Sequence, residues 1–132
     1  MAAAMVLLAG CGAQEPQAAP ASTADLGTVT IGDDGVQEVT LQTQDDFSFT
    51  PDRFTVDPGP VRLTVVNAAA EMTHNLEFTE EEAPAPVGAG IDILAPGQEI
   101  TIEFEVSQPG DYPFTCTFHV AQGQVGMMTV RS

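Results

Sequence analysis

The stretch Glu99-Ile100-Thr101-Ile102-Glu103-Phe104-Glu105-Val106 alternates polar and apolar residues without a break. Successive side chains of an extended chain point to opposite sides, so Ile100, Ile102, Phe104 and Val106 share one face while the acids and Thr101 share the other. Such a segment is a strand with one buried face. The same period of two runs through Val61, Leu63 and Val65, through Val39 and Leu41, through Val29 and Ile31, and through Phe54 and Val56. Helical spacing is sustained nowhere. Gly32-Asp33-Asp34-Gly35, Asp57-Pro58-Gly59-Pro60, Pro96-Gly97 and Pro109-Gly110-Asp111 supply turn residues between these runs. Glu80 to Gly90, with three acids and two prolines, interrupts the alternation and is expected to be a surface loop. Short strands separated by turns over about a hundred residues predict an all-β, antiparallel sandwich or barrel.

The chain has 132 residues, room for one domain, and its composition is 43% hydrophobic, ordinary for a globular protein. Nineteen acids face three arginines and no lysine, a formal charge of −16. Phosphate backbones would be repelled, so no nucleic acid is expected as a partner. The same charge fits a well-solvated surface, and less well a docking face for a basic partner.

The chain opens on the apolar run MAAAMVLLAGC, too short to span a bilayer but of the length of a signal peptide's apolar region. Leu8-Ala9-Gly10-Cys11 resembles a bacterial lipobox. That resemblance implies a lipoprotein signal peptide over residues 1–10, cleavage before Cys11 and a lipid on its sulfur that anchors the protein to the membrane. No Lys or Arg precedes the run, so the initiator is expected upstream of Met1. Residues 11–26 are poor in anything to bury and are expected to be a lipidated flexible linker, followed by one domain over 27–132. With Cys11 acylated, Cys116 is left as a single thiol in an oxidising compartment, where a bound metal would account for it.

Alternation also orients the unusual side chains. His74 is in phase with Leu76 and Phe78, and Cys116 with Tyr112 and Phe114, so both point inward. His119 follows three residues after Cys116. Taken singly, a buried cysteine is most often a small hydrophobe, and a strand-end histidine is most often satisfied by a carbonyl. Yet both histidines of the chain and its one cysteine outside the N-terminal run fall in these two places. One shared metal site explains all three. Two imidazoles and a thiolate suit copper with a weak axial donor, and zinc would tolerate them.

The stretches FSFTPDRFTVDPGPVRLTVVN, THNLEF and YPFTCTFHVAQGQVGMMTV, spread over nearly the whole domain, resemble the plastocyanin-like cupredoxins, the type 1 blue-copper proteins. The matching features are a Val-rich strand ending in Asn67, the His74-Asn75 pair, and Cys116-x2-His119 followed by Val125-Gly126. The resemblance implies a Greek-key β-sandwich holding one type 1 copper ion on His74, Cys116 and His119. In the family pattern a methionine follows as the axial ligand; here the count falls on Gln124. Met127, reached by a rearranged loop, is the rival. A glutamine oxygen is a harder donor than a thioether and is expected to stabilise Cu(II) and lower the reduction potential.

By the same resemblance, Asn75 ties the His74 strand to the Cys116 loop, and His119 brings its ring edge to the surface. Phe118 forms an apolar rim for a transient partner or packs the loop. The function implied is an extracytoplasmic, monomeric one-electron carrier between redox partners such as a cytochrome or a copper enzyme, and not an enzyme. The alternative is an extracytoplasmic copper carrier, although no Met-rich or His-rich exchange tract is present. One cysteine cannot build a binuclear two-cysteine copper centre, no His-x-His pair offers a multicopper oxidase site, and the inward phase of Cys116 disfavours a nucleophile.

Overall fold

A computed structural model describes residues 25–132. The expected signal-peptide segment, Cys11 and nearly all of the expected linker lie outside the described residues. The described residues form ten strands: β1 (Thr30–Ile31), β2 (Gln37–Thr43), β3 (Phe49–Thr50), β4 (Arg53–Val56), β5 (Gly59–Asn67), β6 (His74–Phe78), β7 (Gly90–Leu94), β8 (Glu99–Val106), β9 (Gly110–Thr115) and β10 (Val125–Val130). They make two five-stranded sheets. One runs β1-β2-β5-β8 with β3 also on β2, and the other runs β4-β10-β9-β6-β7.

The expected all-β sandwich is what forms, and the core lies between the sheets. Leu41, Val61, Leu63 and Val65 from the first sheet meet Val56, Leu76, Tyr112, Phe114 and Met128 from the second, all essentially without solvent exposure. Phe114 sits at the middle of an aromatic cluster, its ring centroid 5.1 Å from Phe49, 6.0 Å from Phe54 and 5.8 Å from Phe78. Edge-to-face and tilted pairs at this spacing add to what burial alone contributes. Tyr112 is buried too; its hydroxyl donates to Gln108 O at 2.8 Å, and burial raises its pKa.

Most pairings are antiparallel, but β2 with β5 and β4 with β10 are parallel. The cause is the path of the chain. After β2 it passes through β3 and crosses to the second sheet as β4, then returns as β5 beside β2 in the same direction, which a direct hairpin cannot do. The strands read from alternation all form, with two shortfalls. On β8, Phe104 and Val106 are buried while Ile100 and Ile102 are only partly so, because β8 is an edge strand that its neighbour β5 covers from one side. At the other edge, β1 is two residues long and Ile31 is 65% exposed, so Ile31 does not join a core face. Residues 80–89 are loop, as expected, although Val87 within them is buried.

On the outer face of the first sheet, register sets Glu38, Arg62 and Glu103 in one row across β2, β5 and β8. Arg62 uses Nη1 to Glu38 at 2.6 Å, Nε to Glu103 at 2.7 Å and Nη2 to Asp34 at 2.8 Å. The guanidinium holds the Asp34 carboxyl below its ordinary range, chiefly through that hydrogen bond. Isolated surface pairs contribute little, but one fork shared among three acids is a network, and it offsets the repulsion of a very acidic surface.

Candidate metal centre

Three strand ends deliver the candidate ligands to one end of the sandwich. His74 is the first residue of β6 and is fully buried. Just beyond the last residue of β9 comes Cys116, fully buried and a free thiol. From Cys116 the chain makes a tight return to β10. His119 N donates to Cys116 O, Gln122 N to His119 O and Gly123 N to Val120 O, each at 3.0 Å, and Gln124 N donates to His119 O at 3.2 Å. Gly123 closes this short turn at φ +91°, a left-handed conformation that glycine adopts without the Cβ clash. Cys116 N donates to Gln124 O at 3.0 Å, which seals the loop and sets Cys116 and Gln124 side by side.

The ligand-capable atoms of His74, Cys116 and His119 all lie within 4.8 Å of one another. Cys116 Sγ is 3.9 Å from His74 Nδ1 and 3.5 Å from His119 Nδ1. Gln124, equally buried, brings Oε1 to 2.9 Å from His74 Nδ1 and 3.1 Å from His119 Nδ1. Four donor atoms therefore share one small volume.

The surroundings decide which atoms face it. His74 Nε2 lies 2.7 Å from Gln44 O, a carbonyl that can only accept, so Nε2 carries the proton and Nδ1 turns a lone pair inward. Gln124 Nε2 donates to Ser48 O at 3.1 Å, which orients the amide and leaves Oε1 facing inward. In the neutral imidazole, His74 Nδ1 and Gln124 Oε1 then turn lone pairs toward each other at hydrogen-bond distance, an arrangement that a cation between them reconciles. Two imidazole nitrogens and a thiol sulfur suit copper, and an amide oxygen beside them has the chemistry of a weak fourth donor.

The other residues singled out in the sequence are placed as follows. Asn75 accepts from Thr117 N and donates to Thr117 Oγ1, both at 2.7 Å, joining β6 to the Cys116 loop. Phe118 is 49% exposed beside the partly exposed His119. Met127 stands on β10 opposite Pro113 and Arg53 and lines an open groove on the outer side of that sheet. Its neighbour Met128 takes the inward face and is fully buried, so alternation carries the Met127 side chain away from the cluster.

The chain belongs to the plastocyanin/azurin family of copper-binding proteins. The family model, described as copper binding proteins of the plastocyanin/azurin family, matches residues 36–131. A plastocyanin of Cucumis sativus is 36% identical over 90 residues, covering 63% of this chain and 87% of its own length. Among solved structures, reduced auracyanin from Roseiflexus castenholzii superposes with a TM-score of 0.63 at 27% identity, covering 72% of this chain and 97% of its own. Oxidised plastocyanin from Dryopteris crassirhizoma gives 0.54 at 29% identity, covering 70% and 100%. Copper is accordingly the cofactor of this cupredoxin, and His74, Cys116 and His119 could hold it.

Three participants escaped the sequence reading. Gln44 and Ser48 act through main-chain carbonyls, which every residue possesses, so nothing in their identity marks them. Phe47, 40% exposed with its ring centroid 5.2 Å from that of His119, could have been noticed as an aromatic in a polar stretch two residues before the buried Phe49.

Proposed function

We propose that this cupredoxin is an extracytoplasmic one-electron carrier, anchored by lipid on Cys11, that takes copper on His74 Nδ1, Cys116 Sγ, His119 Nδ1 and Gln124 Oε1. The observation that carries the reading is the convergence of those four donors on one small volume, His74 and Gln124 each turned inward by a main-chain carbonyl. When bound, copper would supply the one-electron couple. The protein's part is to restrain its ligands. A buried thiol, a buried histidine and a buried amide mounted on a packed sandwich cannot move far between oxidation states, which lowers the reorganisation each transfer requires. His119 offers the route out, since its ring is the partly exposed member of the set. Phe47, Phe118 and Val120, each 40–49% exposed, make an apolar rim at which a small, short-lived redox interface could form.

Reversible one-electron voltammetry of the copper-loaded protein tests the reading. A stable, reversible wave is expected; copper that leaves on reduction would instead favour a copper carrier. Gln124→Met should raise the potential, because a softer thioether favours Cu(I). Each tenfold change in preference is about 59 mV for one electron, so a rise of about 60–120 mV is expected. An unchanged potential would remove Gln124 from the ligand set. The anchor has its own check: mass spectrometry of the mature protein should find an acylated N-terminal Cys11, and an unmodified residue there would end that part of the proposal.

A further inference from the structure

Residues 44–48 form the loop between the paired strands β2 and β3, and this one loop touches three of the four candidate ligands. Gln44 O meets His74 Nε2, Ser48 O meets Gln124 Nε2, and the Phe47 ring lies against His119. A loop with that many duties must itself be held. Asp45 provides the hold: its Oδ2 accepts from Ala70 N at 2.7 Å, and its Oδ1 accepts from Glu71 N and Met72 N, both at 3.0 Å. Those amides belong to the connection between β5 and β6, directly before His74. One carboxylate thus spans the two loops that frame the centre.

The chemistry is specific to a carboxylate. Three consecutive N–H groups converge on two oxygens, and charge-assisted bonds of this kind are stronger than neutral ones. An asparagine would keep one acceptor oxygen and leave the Ala70 amide facing an NH2 group. The three bonds also hold the Asp45 carboxyl below its ordinary range, the Ala70 amide first among them.

We propose that Asp45 is a positioning residue for the copper site: it latches the 44–48 loop onto residues 70–72, and through that loop sets the tautomer of His74 and the orientation of Gln124. The bearing on copper rests on the ligand set proposed above, whereas the latch consists of contacts made by the protein alone.

Hydrogen exchange in the copper-free protein, followed by NMR at the Ala70–Met72 amides and at His74 Nε2–H, tests the latch. Asp45→Ala should accelerate exchange at all four by about tenfold or more, with Asp45→Asn intermediate. Glu71→Gln removes one negative charge from the same connection but none of the bonds, and should stay within about twofold of the parent. In the copper-loaded protein, Asp45→Ala should release copper to a chelator about tenfold faster. Faster exchange at Ala70–Met72 with His74 Nε2–H unchanged would overturn the proposal, as would equal effects from Glu71→Gln. If Asp45→Ala does not fold, the Asp45→Asn exchange decides. If the copper reading is itself wrong, Cu(II) produces no coloured site whatever stands at position 45, and the exchange result still stands on its own.

Discussion

Replacing Cys116 by serine is expected to abolish the intense visible band that the parent protein should develop when Cu(II) is added. The band arises from charge transfer between a thiolate and copper, and a metal-bound thiolate is deprotonated outright. Cys116 Sγ lies within 4 Å of both histidine Nδ1 atoms, and among the described residues it is the one free cysteine. A methionine cannot take its place, because a thioether has no thiolate to donate the charge; of the two on the closing strand, Met128 packs in the core and Met127 lines the outer groove. Serine is a close match in volume, so the fold should survive at a cost of about 1–2 kcal/mol for burying a hydroxyl. Absorption and EPR spectra of parent and variant at equal copper loading make the check. The parent should show the strong band with a narrow Cu(II) signal, and the variant should be nearly colourless. A parent that stays colourless, or a Cys116→Ser variant that keeps the band, would refute the assignment.

The largest effect on stability is expected at Gly126. It pairs directly with Phe114 across β10 and β9, and a Cβ built there would collide with Cε2 and Cζ of the Phe114 ring and come within 2.8 Å of Asp52 O. Neither neighbour can yield easily. The ring is fully buried among Phe49, Phe54 and Phe78, and Asp52 O is held by the amide of Met127 at 2.8 Å. Gly126→Ala should therefore cost about 3 kcal/mol, at the upper end for overpacking, and lower the melting temperature by roughly 10–20 °C. For a domain whose total stability is about 5–15 kcal/mol, that is a large fraction. Denaturant unfolding of the copper-free protein measures it without any contribution from metal binding. A cost under about 1 kcal/mol would mean that Phe114 repacks freely and that the aromatic cluster is looser than its geometry implies.

Gly126 also shows how the site depends on the fold beneath it. Phe114 precedes Cys116 by two residues and Gln124 precedes Gly126 by two, so the pair that closes without a side chain at Gly126 lies one step below the candidate ligands on both strands. The Val125-Gly126 dipeptide noticed in the sequence acquires its physical reason here: only a residue without Cβ lets the ring fill that layer.

Sequence alone determined the fold class, the strands whose apolar residues alternate, and the inward phase of His74 and Cys116. Each follows from a local rule, the two-residue period of an extended chain, and local rules need no knowledge of partners. The same rule failed where it does not hold. The strand β7 went unread because a register shift where β6 pairs with it, between His74 and Leu76, spoils its alternation. Ile91 and Leu94 are buried while Ile93 is 61% exposed. Tertiary structure alone decided the parallel pairings, and the exposure of Ile31 and partial burial of Ile100 at sheet edges. It alone revealed the carbonyls of Gln44 and Ser48 that turn His74 and Gln124 inward, and the Asp45 carboxylate that joins their loops. Those contacts link residues far apart in the chain, several of them through main-chain atoms that all residues share, so they are set by where the backbone goes and leave no mark in residue identity.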